Sequence, residues 1–268
     1  MDLNLKDKVV MVTGASRGIG RAIAFILAAE GAALALCGRT ESAIKEAAKE
    51  IASRHDPRIY AGSWDLAKPG AIDGFLRASL AELGRVDVLV NNVGAGFSKS
   101  FDDLTEDEWR EVLEKNFWIA LRCSRAVVPL MKRNGSGRII NIAALSGKLP
   151  RRGQVASNTA KAALINLTES LAAELGADGI RVNAVCPAAI LTERWQARIE
   201  KIAHDNHQDY ATTIRELART RIPAGRFGLP DDVAHLVAFL ASDKSDFING
   251  VSIEVDGGLG RSLALEIQ

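Results

Sequence analysis

The sequence lacks the marks of several protein classes. It contains no run of roughly 18 apolar residues, the length a membrane-spanning helix requires. No basic block appears and the formal charge is +1, so neither nucleic acid nor an anionic membrane is an expected partner. Its three cysteines, Cys37, Cys123 and Cys186, make no C-x-x-C pair and are odd in number. They read as reduced, buried, small hydrophobic residues of a reducing compartment rather than a disulfide framework. The first residues, Met1-Asp2-Leu3-Asn4-Leu5-Lys6-Asp7-Lys8, are charged and carry no apolar signal region, so a cytoplasmic location is expected. No repeat, low-complexity tract or linker divides the chain.

What remains is an ordinary globular composition, 268 residues with 47% hydrophobic and 25% charged. A chain of this size buries roughly three quarters of its unfolded surface and needs no staple. Short apolar runs alternate with longer segments of helical period, the pattern of repeated βαβ units. Candidate strands are Val9–Val12, Ala33–Cys37, Arg58–Ala61, Val86–Val90, Arg138–Ile142, Ile180–Cys186 and Ser252–Val255. Several are apolar at successive positions, as strands covered on both faces should be. Helices are expected near Gly18–Glu30, Glu41–Arg54, Ala71–Leu83, Glu106–Arg133, Val155–Leu175, Glu193–Thr220 and Pro230–Ala241. Thr105-Glu106-Asp107-Glu108 has capping-box spacing at one helix start. The irregular stretch from Pro187 to Gly228 is placed to cover a ligand crevice.

The strongest local signal follows the first strand: Thr13-Gly14-Ala15-Ser16-Arg17-Gly18-Ile19-Gly20. Gly14 permits a tight turn, Gly18 lets the backbone approach a pyrophosphate, and Gly20 lets the next helix pack on the sheet. That helix then offers free N–H groups and a positive dipole end to phosphates. Placed between a strand and a helix, this spacing predicts a dinucleotide-binding, Rossmann-type fold: one α/β domain, 1–268, with a doubly wound parallel sheet. The second strand ends in Cys37-Gly38-Arg39-Thr40, with no carboxylate until Glu41. Arg39, aided by Arg17, suits a ribose 2′-phosphate, so NADP(H) is the expected cofactor rather than NAD.

These features resemble the short-chain dehydrogenase/reductase family over nearly the whole chain. Thr13–Gly20 looks like its T-G-x-x-x-G-x-G motif, and Asp65 stands where an adenine-contacting Asp follows the third strand. Asn91-Asn92-Val93-Gly94 resembles N-N-A-G, and Asn116 matches a mid-helix Asn that anchors a proton-relay water. Arg181-Val182-Asn183, Pro187 and Thr192 match the segment that holds the nicotinamide, and Pro223 through Gly258 resembles the C-terminal signature. The resemblance implies a homotetramer paired through Pro230–Val255, and a nicotinamide-ribose contact for Lys161.

The catalytic positions depart from the pattern. Ala144 aligns where the family has its Ser, and Ser157 stands four residues before Lys161 where it has Tyr. A serine hydroxyl titrates above a tyrosine near pKa 10, and its oxygen lies roughly 4 Å nearer the backbone. Ser157 therefore cannot replace that acid directly; it could donate a hydrogen bond or order a water, with Lys161 as the charged partner. The 2,4-dienoyl-CoA reductases are similar at S-x-x-x-K, but take their tyrosine from the strand-end region, and Asn141–Ala156 has none.

Other donors are few. Tyr60 and Tyr210 are the only tyrosines; the first reads as packing on the third strand, the second lies in the Pro187–Gly228 excursion. Ser146 is a possible stand-in for the missing Ser. His204 and His207 have chelating spacing but no third ligand is evident, so no metal is expected. The reading is an NADP(H)-dependent oxidoreductase of a small molecule, an apolar carbonyl or enoyl compound, with a non-standard proton-transfer site of Lys161, Asn116 and Ser157. Alternatives are a cofactor-binding protein without turnover, serving as sensor or partner subunit, and lyase or isomerase chemistry in the same pocket.

Overall fold

In the computed structural model, which describes residues 1–263, seven parallel strands form one sheet in the order β3-β2-β1-β4-β5-β6-β7. They are β1 (Val9–Thr13), β2 (Ala33–Gly38), β3 (Ile59–Ser63), β4 (Val88–Asn91), β5 (Gly137–Ile142), β6 (Ile180–Pro187) and β7 (Ser252–Val255). The helices joining them are α1 (Gly18–Ala29), α2 (Glu41–His55), α3 (Ala71–Leu83), α4 (Glu106–Leu113), α5 (Ile119–Asn134), α6 (Val155–Leu175), α7 (Glu193–Asp205), α8 (Tyr210–Arg221), α9 (Pro230–Ala241) and α10 (Leu259–Leu263).

The two-residue period of the strands splits the core between the sheet's faces. Val10, Val12, Leu34 and Leu36 face α1, α2 and α9, packing with Ile23, Ile44 and Val237. Their neighbours Val9, Met11, Ala35 and Cys37 face α3, α5 and α6, packing with Phe75, Val127 and Leu175. All three cysteines are free and buried, and burial pushes the Cys37 thiol up to about 12. They are inert packing groups. No helix among the described residues is long and apolar enough to cross a membrane.

Two expected helices are interrupted. The segment Glu106–Arg133 opens on the capping box, with Thr105 Oγ1 accepting from the Glu108 amide at 3.3 Å, but widens into a π turn over Glu114–Trp118. The cause is Asn116, whose Nδ2 donates to the Val112 carbonyl at 2.9 Å and so takes an acceptor from the backbone ladder. The segment Glu193–Thr220 is two helices, because Asp209 caps α8 by accepting from the Thr212 amide at 2.9 Å. The fourth strand starts two residues later than expected. Asp87 before it is turned inward and accepts from the Val9 amide at 2.9 Å.

Chain order reverses between β1 and β4, which places a crevice at their carboxyl ends. The excursion after β6 folds over that end of the sheet. It carries its own apolar cluster of Ile199, Ala218, Ile222 and Phe227, joined by Leu145, Ala189 and Leu259. Ala189 turns the chain with a φ of +50°, a conformation costly for a residue with a Cβ. The turn is held by the Gly228 amide, which donates to the Ala189 carbonyl at 3.0 Å.

Candidate active site

The loop Thr13–Gly20 is fastened from three sides. Asn92 Nδ2 donates to the carbonyls of Thr13 and Gly14, each at 3.0 Å. Thr13 Oγ1 accepts from the amides of Asn92 at 2.9 Å and Val93 at 3.2 Å. The Ala15 amide donates to the Cys37 carbonyl at 2.9 Å, tying the loop to the end of β2. The three glycines have separate reasons. Gly14 and Gly18 lie at positive φ, +66° and +54°. Gly20 does not; a Cβ there would overlap the Gly14 carbonyl oxygen and Asn92 Nδ2. No side chain caps the first turn of α1, so its amides point to the crevice.

Around this cradle stand the other dinucleotide positions. Ser16 packs against Gly38, and a Cβ on Gly38 would lie 3.3 Å from Ser16 Oγ. Arg17 and Arg39 are exposed beside the loop and at the end of β2, and neither has an ion-pair partner among the described residues. Asp65, just past β3, is half-buried. Thr192 precedes α7 and meets the loop from above: a Cβ on Gly18 would lie 3.4 Å from its methyl group. Pro187, at the end of β6, pairs in register with Val255. Asn91 is different. Its Nδ2 bonds Asn141 Oδ1 at 2.9 Å and Ser124 Oγ at 3.1 Å, so its side chain lies in the buried seam between sheet and α5. Asn92, the second Asn of the same motif, makes the contacts to the glycine loop.

Ser157 and Lys161 lie one turn apart on α6 and receive the chain that leaves β4. Lys161 Nζ donates to the Ile142 carbonyl at 2.8 Å, at the end of β5. A Cβ on Gly94 would lie 3.1 Å from that Nζ and 2.9 Å from Asn116 Oδ1, so both groups converge on Gly94. Burial lowers the Lys161 ammonium to about 8, against a small opposing effect of Cys186. Asn116 clamps Ala95: its Nδ2 donates to the Ala95 carbonyl at 2.9 Å and its Oδ1 accepts from the Ala95 amide at 3.1 Å. With Val112 as the second acceptor, both N–H groups of Asn116 are committed.

Ser157 is committed as well. Its Oγ accepts from the Phe97 amide at 2.9 Å and donates to the Phe97 carbonyl at 3.2 Å. Ala144 stands in extended backbone just before the 3₁₀ turn Leu145–Gly147 and brings no hydroxyl. Ser146 lies within that turn, beside Gly147, where a Cβ would lie 2.8 Å from the Lys161 backbone. Neither tyrosine is drawn into this group. Tyr60 accepts from Trp64 Nε1 at 3.0 Å and stacks on Phe75, while Tyr210 packs into the apolar cluster of the excursion. His204 and His207 are exposed.

A family model described as enoyl-(acyl carrier protein) reductase matches residues 14–260. The chain belongs to the short-chain dehydrogenase/reductase family. It is 35% identical over 266 residues to an uncharacterized oxidoreductase, YvrD, of Bacillus subtilis, covering 98% of this chain and all of that one. It is 35% identical to the 3-oxoacyl-[acyl-carrier-protein] reductase FabG of Vibrio cholerae, over 96% of this chain and 99% of the relative. Among solved structures, L-sorbose reductase of Gluconobacter frateurii, in complex with NADPH and L-sorbose, superposes with a TM-score of 0.94 at 32% identity. That match covers 97% of this chain and 99% of the reductase. As a short-chain dehydrogenase/reductase, the protein is an oxidoreductase by family. The cradle at Gly14–Gly20 fits NADP(H): Gly20 admits no Cβ, no side chain caps α1, and beside it stand two guanidinium groups without an ion pair among the described residues.

Proposed function

We propose that the protein is an NADP(H)-dependent reductase of a small apolar carbonyl or enoyl compound, in which the Lys161 ammonium supplies the proton. The observation that carries this reading is the convergence of Lys161 Nζ and Asn116 on Gly94, while the hydroxyl of Ser157 is spent on Phe97. NADPH, when bound, supplies the hydride. Gly14, Ser16, Gly18, Ile19 and Gly20 cradle the pyrophosphate, Arg17 and Arg39 take the 2′-phosphate, and Asp65 takes the adenine. Pro187 and Thr192 hold the nicotinamide end, and Asn91 keeps the end of β4 in register from behind.

Lys161 gives one proton to the oxygen of a carbonyl whose carbon receives the hydride, or to the double-bond carbon that does not receive it, and is left as a neutral amine that water reprotonates. Near neutral pH an amine of pKa about 8 is mostly protonated yet a far better donor than an ordinary lysine. Ser157 and Asn116 act by position, fixing Phe97 and Ala95 so that Gly94 stays against Lys161. The protein assembles as a homotetramer through Pro230–Val255.

The test is NADPH consumption, followed by absorbance, with a panel of ketones, quinones and enoyl thioesters. Turnover by wild type, and its loss in Lys161→Ala while NADPH still binds, is the expected result. Tight NADPH binding with no turnover on any member of the panel would instead support a sensor or partner subunit, the reading favoured by the two missing hydroxyls.

A further inference from the structure

The chain leaving β4 is covered on one side by α6 and on the other by α7. Gly94 and Phe97 rest on Lys161 and Ser157, whereas Gly96 is met by Arg194: a Cβ on Gly96 would collide with that guanidinium. Arg198 lies one turn further along α7, on the same face. Its guanidinium carbon sits 5.1 Å from the Trp195 ring centroid, and Trp195 packs edge-on against Phe227 at 5.3 Å. The stack holds this cation in place before any ligand arrives. From the opposite wall, Arg151 precedes α6, its carbonyl accepting from Asn158 Nδ2 at 2.8 Å, one residue after Ser157.

Arg194 lies against the chain leaving β4, Arg198 is one turn away, and Arg151 is near enough to Arg198 for their charges to repel; these charges are not balanced. None of Arg151, Arg194 or Arg198 is in an ion pair among the described residues, whereas Arg21, Arg85, Arg122, Arg138 and Arg226 all are. Arg151 is half-buried, and burial first and the Arg198 charge second push its pKa down. Two like charges held near each other, one of them partly desolvated, are unfavourable unless an anion joins them. The carboxylates of Glu193 and Asp256 are engaged elsewhere. Glu193 points toward Gly18, where a Cβ would lie 3.6 Å from its Oε2, and Asp256 accepts from the Gly258 and Gly260 amides.

We propose that Arg151, Arg194 and Arg198 form an anion-binding subsite at the mouth of the crevice over Lys161, which receives the carboxylate or phosphate end of the substrate. The proposal rests on the reductase reading for the word substrate, but the subsite itself does not. The apolar cluster beside it, with Trp195 and Tyr210, suits the hydrocarbon body between that end and the reacting carbon. Guanidinium groups bind both oxyanions in bidentate fashion, so the two ligand sources share this chemistry.

The test is calorimetric titration of the NADP⁺-loaded protein with three non-reducible probes of one chain length: hexanoate, hexyl phosphate and hexanamide. Either anion should bind at least about tenfold tighter than the amide, and the tighter of the two identifies the source. Arg151→Gln and Arg198→Gln should each bring the anion-to-amide ratio toward one. Arg198→Lys should restore part of it, and Arg215→Gln on α8 should leave it as in wild type. Equal binding of all three probes, no binding of either anion, or an unchanged ratio in Arg198→Gln would overturn the subsite. Arginine-dependent anion binding by a protein that reduces no ketone, quinone or enoyl thioester would leave the subsite standing and remove the reductase reading instead.

Discussion

The Ser157 hydroxyl makes both hydrogen bonds that the Phe97 peptide offers, accepting from its N–H and donating to its C=O. The side chain at the position where the family places its acid therefore works as a strap. Two further bonds tie the same segments, from the Lys99 amide to the Gly153 carbonyl at 2.9 Å and from Gln154 Nε2 back to Ser98 Oγ at 3.2 Å. Ser157→Ala leaves a part-buried amide and carbonyl without partners, at a cost of about 1–3 kcal/mol of stability. Its KM should rise more than its kcat falls, because the loop loses position but Lys161 is intact. Ser157→Tyr should be worse, since a buried phenol cannot enter without displacing Phe97. Thermal melts and steady-state kinetics of the two variants check this; a Ser157→Tyr protein as stable as wild type would refute the strap.

The fold was legible in the sequence because its signals are local and periodic. Uninterrupted apolar runs mark the buried strands, and Gly14, Gly18 and Gly20 mark the crevice. The interruptions were not legible in the same way. Asn116 breaks a helix by taking the Val112 carbonyl, which depends on where Ala95 lies, and Asp209 begins a new helix inside a run with helical period. An Asp three residues before Thr212 was a usable signal for that second start. Asn91 and Asn92 could not be told apart from their motif, since adjacent residues of a strand end face opposite ways. The repulsion between Arg151 and Arg198 was not legible because the two lie far apart along the chain.

Gly20 offers a sharp test of the cradle. A methyl group there overlaps the Gly14 carbonyl and Asn92 Nδ2, both of which are fixed by the bonds that shape the loop. Gly20→Ala should lose about 1–3 kcal/mol of stability by overpacking. It should also weaken NADPH binding by more than tenfold, read by quenching or enhancement of NADPH fluorescence. Unchanged affinity would show that the phosphates lie elsewhere.

Cofactor choice should follow the two exposed guanidinium groups. Arg17 and Arg39 are exposed and make no ion pairs among the described residues, so their removal breaks no ion pair seen there. Arg39→Asp should raise KM for NADPH about tenfold, as the loss of one charge-assisted contact implies. Together with Arg17→Ser it should make NADH the better donor, because the new carboxylate pairs with a free 2′-hydroxyl. Parallel kinetics with both coenzymes measure the switch; an NADPH preference that survives both substitutions would contradict this assignment.

Assembly should depend on the surface beside the last strand. β7 is an edge strand, and Phe247, just before it, is fully exposed, with Val251 at 38%. On the proposed tetramer, this edge and the apolar side chains beside it would face a second copy. Light scattering should give about four times the 28.7 kDa chain mass. Phe247→Asp should reduce that mass without lowering the helical content. A monomer at micromolar concentration in wild type would overturn the tetramer.

The pH dependence separates Lys161 from every other donor. Burial holds its ammonium at about 8, below the ordinary lysine value of 10.5. Reduction needs the protonated form, so kcat should be level below about pH 8 and fall about tenfold per unit above it. Oxidation of the product alcohol needs the neutral amine and should rise over the same range and then level off. Stability carries the same signature with a defined sign. Between the folded and unfolded values the unfolded chain binds more protons, so the wild-type protein gains stability as pH rises from about 8 toward 10.5. Lys161→Met has no such group and should lack this part of the rise, which urea melts at about pH 7 and about pH 10 compare directly. Opposite pH trends for reduction and oxidation that meet near 8, and vanish in Lys161→Met, are the expected result. A kcat for reduction that stays level through that range would remove Lys161 as the proton source.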